Sequence, residues 1–142
     1  MEDTVMGPSL WWSLAGIPAF LLYFGLAAVL LLLFARLYTW ITPHREFELI
    51  RANNPAAAVA FGGALIGFAL PLSSAISFAT SVVDFLIWGL IALVVQLAVF
   101  FLARLVVNDL SGRITRGEVG AGVFAASAAV AGGLLNAASM TY

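Results

Sequence analysis

A chain of 142 residues that is 63% hydrophobic and 9% charged, with a mean hydropathy of +1.09, lies far outside the soluble globular range and reads as an integral membrane protein. It has no cysteine, which excludes disulfides, thiol catalysis and cysteine-ligated metal, and its net charge of −1 speaks against a nucleic-acid partner. Four apolar runs, about 14–38, 55–78, 85–107 and 119–140, can each cross roughly 30 Å of hydrocarbon, and the loops between them are too short for a second domain.

Residues 1–13 form a short polar tail ending in Trp11 and Trp12, whose rings suit the headgroup region. Span one is dominated by Leu and Phe, tolerates Pro18 in its first turns, and closes with Arg36, Tyr38 and Trp40 at the opposite interface, where Arg36 can snorkel outward. The loop that follows holds the only histidine, His44, beside Arg45, Glu46 and Glu48. One His cannot complete a metal site within a monomer, and Phe47, Leu49 and Ile50 predict a short amphipathic segment on the membrane surface.

Asn53-Asn54-Pro55 is a helix start, an Asn cap followed by a proline at the first helical position. From there Ala56, Ala60, Ala64, Gly67, Leu70 and Ser74 step by four or three and fall on one arc, with Gly63 and Gly67 in GxxxG spacing. In hydrocarbon, close backbone approach over small residues holds helices together, so this arc is predicted to face another helix. Phe61, Leu65, Ile66, Phe68 and Leu72 are left for lipid or bulkier neighbours, and Pro71 predicts a kink.

Ser81 and Asp84 cap span three, in which Gly89, Ala92, Gln96 and Ala103 share a narrow face with Gln96 near the bilayer centre. Asn108-Asp109 and Ser111-Gly112 read as the end of that helix. Thr115 to Glu118 leads into span four, which is rich in small residues like span two.

A shift of 65 residues lays Arg51 on Arg116, Ala56 on Ala121, Ala60 on Ala125, Ala64 on Ala129, Gly67 on Gly132, Leu70 on Leu135 and Ser74 on Ser139. Each half is a bulky helix followed by a small-residue helix. The predicted fold is therefore all-α: a polytopic membrane protein of four transmembrane helices arranged as two parallel two-helix repeats, 14–80 and 81–142. Spans two and four are expected to meet along Ala121, Ala125, Ala129, Gly132 and Ser139 at the centre of the bundle, with spans one and three more exposed to lipid. Asn136 is expected to point inward and bond backbone near Pro71, or Ser73 and Ser74, without meeting Gln96 directly.

All six arginines lie at one end of the spans, with Arg45, Arg51, Arg113 and Arg116 in the two loops there; the opposite end carries only acids, Glu2, Asp3 and Asp84. The positive-inside rule makes the arginine end cytoplasmic and puts both termini in the periplasm. The acidic amino end lacks the basic stretch of a cleaved signal peptide, so none is expected.

The run EFELIRANNPAAAVAFGGALIGFALPLSSAI, then WGLIALVVQ, then RITRGEVGAGVFAASAAVAGGLLNAASMTY resembles the YjfL family of bacterial inner-membrane proteins, defined by domain of unknown function 350. GFALPL and GLLNAA carry the likeness; Ala52-Asn53-Asn54 departs from it, since a Gly-Asn pair is expected there. The resemblance implies a multi-pass protein of the bacterial cell inner membrane with no established activity, no catalytic residues to transfer and no cofactor, in a gene context of envelope stress and polyamines.

The residues lack a nucleophile, base and metal set, which argues against an enzyme. They point first to a self-associating scaffold or sensor, embedded in the lipid bilayer as a homo-oligomer, that recruits a cytoplasmic protein partner through its arginine-bearing loops. The alternative is a small oligomeric channel or transporter lined by Gln96, Asn136 and Ser74.

Overall fold

The computed structural model describes residues 10–43 and 45–140; the tail residues 1–9 and His44, with the readings made of them, lie outside the described residues. Among the described residues four helices are long and apolar enough to cross a membrane: Leu10–Ile41, Pro55–Phe78, Val82–Val106 and Val119–Ser139. No described residue is in a strand, so the chain is an all-helical polytopic membrane protein, as the apolar runs predict.

Local chemistry sets the helix starts. The Asn54 side chain accepts from the Ala57 N–H at 3.1 Å while Pro55 takes the first helical position, so span two begins where the sequence places it. At span three the Ser81 hydroxyl accepts from the Asp84 N–H at 3.1 Å, and the Asp84 carboxylate accepts from the Thr80 N–H at 3.0 Å.

Each pair of spans is joined by a short helix at the arginine-bearing end, Glu46–Arg51 in the first corner and Leu110–Thr115 in the second. The second was not legible: Ser111 and Gly112, read as breakers, are helical because Asp109 takes the left-handed conformation (φ 54°) and restarts the chain. The two corners stop alike. Ala52 N–H donates to Glu48 O, Asn53 N–H to Ile50 O and Asn54 N–H to Leu49 O; 64 residues on, Arg116, Gly117 and Glu118 donate to Gly112, Ile114 and Arg113. The stop needs a positive φ, supplied by Gly117 (78°) in one corner and by Asn53 (63°) in the other. Asparagine tolerates that region better than other side chains, which explains how the chain does without glycine there.

Span two is the centre, touching all three other spans. Toward spans one and three it packs large rings: Phe34, Phe68 and Phe85 are fully buried, the Phe34 and Phe68 rings meet tilted with centroids 4.7 Å apart, and Tyr38 lies against Phe61 and Phe100. Gly89 on span three leaves room for Leu30 of span one. Span four does not share the centre. It buries Ala121, Gly122 and Gly133 while Leu134 and Leu135 stay exposed, 72% for Leu135, and Val119 and Val123 face outward as well. Span three also touches every other span, so it is span four, not span three, that is left toward lipid beside span one.

Candidate functional site

The polar and small groups of this protein converge on the contact between spans two and four. Gly63, Gly67, Gly122 and Gly133 have no room for a side chain: a Cβ on Gly63 would overlap Ala126, on Gly122 the backbone of Ala56, and on Gly133 the carbonyl of Gly67. Backbone thus lies on backbone along most of the membrane depth. Ala56, Ala60 and Ala64 are buried on span two, as the predicted arc requires.

On span four the arc is rotated from its expected position. The residues that meet span two are Gly122, Ala126, Ala129 and Gly133, whereas Gly132 faces the Val99 side chain of span three. Ala121 is buried beside Leu110 and Ile114, and Ala125 is partly buried against the same group. The cause is double contact: span four packs on spans two and three together, so its small residues divide between two faces, and one residue of register turns a helix by about 100°.

Ser74 stitches this seam, and Gln96 and Asn136 tie span four to span three beside it. Gln96 of span three donates through Nε2 to the Ala129 carbonyl of span four at 2.7 Å, and Ser74 of span two donates to the Ala137 carbonyl at 2.9 Å. Asn136 points inward as expected, but its Nδ2 faces the Ala92 carbonyl of span three at 3.5 Å and not the backbone around Pro71. Pro71 is fully buried within span two, and Ser74, which Asn136 was expected to approach, donates its hydroxyl to the Ala137 carbonyl instead. Ser73 and Ser139 are exposed. The Ser73 carbonyl accepts from Ser77, and Ser139 donates back to Leu135 within its own helix. Gln96 and Asn136 do not meet.

At the arginine-bearing end Asn54 has a second function beyond capping: its Nδ2 donates to the carbonyls of Ile114 and Thr115, at 3.0 and 3.2 Å, tying the two corners together. Arg113 and Arg116 both pair with Glu118, and Arg116 also reaches Asp109 at 3.2 Å. The Arg113 hydrogen bond first, then that from Arg116, holds the Glu118 carboxyl below its ordinary value. Arg45 pairs with Glu48 at 2.9 Å, and Arg51 is exposed. Between the corner helices lies an open groove of about 490 Å³, walled by Arg45, Glu48 and Leu49 on one side and Asp109, Ser111 and Thr115 on the other. The first corner helix is amphipathic with an unforeseen burial: Glu46 is 2% exposed while Phe47 is 52% exposed and edges onto Phe61. Nothing in the sequence signals that a glutamate would be the covered residue.

The arrangement defines a four-span helical membrane protein in which Ser74, Gln96 and Asn136 each turn a donor toward a carbonyl of a neighbouring span. Residues 11–140 match the family described as Domain of Unknown Function (DUF350), and the chain belongs to it. It is 47% identical over 124 residues to the UPF0719 inner membrane protein YjfL of Escherichia coli K12, covering 87% of this chain and 94% of that protein. It is 30% identical over 80 residues to the UPF0719 transmembrane protein YshE of Bacillus subtilis, covering 56% of this chain and 60% of that one. No solved structure matches.

Proposed function

We propose that this protein is a non-enzymatic, self-associating scaffold or sensor of the bacterial inner membrane, with its corner helices in the cytoplasm and both termini in the periplasm. The family relationship supports the inner membrane, and the confinement of all six arginines to the corner end supports the sidedness. The single observation that carries the reading is the use of the intramembrane polar groups. Gln96, Ser74 and Asn136 turn into the fold toward carbonyls of neighbouring spans, and the cavity beside Gln96, about 20 Å³, is far too small for a conducting path. A conducting path is marked by polar or ionisable residues facing a water-filled space, and these face backbone. The channel alternative therefore loses the lining it was given.

The like-ended corners support two parallel two-helix repeats, related by an axis along the membrane normal. What such a frame offers a partner is its corner end, where two short helices, exposed Arg51 and the groove between them form one surface. The link to envelope stress rests on the gene context that the family resemblance implies.

The test is flux. Purified protein in liposomes should pass potassium, protons and small osmolytes no faster than empty liposomes, while native mass spectrometry of nanodiscs finds more than one copy. Flux well above the empty control would overturn the scaffold reading. Alkaline phosphatase fused at Tyr142 should be active and fused after Arg45 inactive; the reverse pattern would overturn the sidedness.

A further inference from the structure

Gln96 is 2% exposed and sits where spans two, three and four cross. A side chain on Gly67 would collide with its amide nitrogen, so the glycine makes the place that the amide fills. The orientation of that amide is fixed by chemistry: Nε2 donates to the Ala129 carbonyl, and the flipped alternative would set two acceptor oxygens against each other. Gln96 Oε1 is thereby left buried with no hydrogen-bond partner from the protein. An amide oxygen stranded in hydrocarbon-like surroundings is costly unless something donates to it.

Beside it lies a cavity of about 20 Å³. A single water needs roughly 10–15 Å³ of such volume and two to four polar partners. The cavity is lined by Phe34, Phe100 and alanines of spans two, three and four, and it has two polar side chains in its wall, Gln96 and Tyr38 of span one. A metal cation asks for several more oxygens than that, and anything larger than water does not fit.

We propose that this cavity is a binding site for one ordered water, which donates a hydrogen bond to Gln96 Oε1 and is held on its other side by the Tyr38 hydroxyl. The water completes a polar link from span one through Gln96 to the Ala129 carbonyl of span four, joining three helices. It also gives span one, which otherwise meets its neighbours through rings and Leu30, a directional contact.

The experiment is water-edited solid-state NMR on the labelled full chain in lipid nanodiscs. Wild-type protein should show magnetisation transfer from water to the Gln96 side-chain amide and to the Tyr38 ring; absence of both would overturn the site. Tyr38→Phe removes one holder and should weaken the Gln96 transfer at least tenfold, and an unchanged signal would overturn the bridge. Gln96→Met keeps the volume and removes the amide, so transfer to the Tyr38 ring should vanish; its persistence would overturn the assignment to Gln96. A shift of the wild-type Gln96 signals when sodium replaces potassium would give the space to a cation and overturn the water.

Discussion

Span two has two unlike sides. Toward spans one and three it presents Phe61, Phe68 and Leu72, which interlock with Phe34, Tyr38 and Phe85; toward span four it presents Ala56, Gly63 and Gly67, which let backbone touch backbone. Lipid tails are as apolar as either surface, so neither side is held by expulsion of apolar groups from water. The ring side is held by dispersion between large interlocking shapes, which tolerates modest rearrangement. The glycine side is held by close backbone approach, with the Ser74–Ala137 hydrogen bond at one end, and closeness has no slack.

That difference orders the expected effects of substitution. The largest belongs to the glycine side: Gly67→Leu or Gly133→Leu should abolish folded protein, measured as the monodisperse yield in detergent. Gly62, with nothing within 4 Å of its Cβ position, is the control, and Gly62→Leu should change stability by less than about 0.5 kcal/mol. Gly132→Ala should cost less than Gly133→Ala, because the Val99 side chain can shift and the Gly67 carbonyl cannot. Next comes the ring side, where Phe68→Ala should cost about 3 kcal/mol, with folded protein still recoverable, by thermal or denaturant melts. Equal outcomes for Gly67→Leu and Phe68→Ala would erase the distinction.

Smaller effects sharpen the comparison at the corner end, where the seam begins. Asn54→Ala removes a cap and two cross-corner hydrogen bonds and should cost about 1–2 kcal/mol. The smallest effect concerns Glu118, whose depressed pKa gives stability that is present above its ordinary value of 4.5 and is lost as the pH falls through the lower folded value. Melting temperature should therefore decline on acidification below about pH 4.5, slightly less steeply in Glu118→Gln, and less still in high salt because the group is exposed.

Much of this was legible because membrane depth and capping chemistry act locally. Length and apolarity give the spans, Asn54-Pro55 and Ser81-x-x-Asp84 give two helix starts, and the spacing of Ala56, Ala60, Ala64 and Gly67 gives the face span two turns to a partner. What was not legible depends on a third body. Matching span four to span two by identity assumed one shared contact, but span three also packs on span four and claims Gly132 through Val99, moving the seam to Gly133. The burial of Glu46 and the second corner helix depend likewise on where the corners dock, which no local spacing encodes.

The register of the seam is the central claim, and a chain without cysteine allows it to be measured directly. Gly63 and Ala126 face each other at the lipid-accessible edge of spans two and four. Ile66→Cys with Val130→Cys, which line the groove beside that contact, should form an intramolecular disulfide under mild oxidation in membranes, while Ile66→Cys with Val119→Cys, at the start of span four, should not. Cross-linking of the second pair with the first pair remaining reduced would contradict the seam described here.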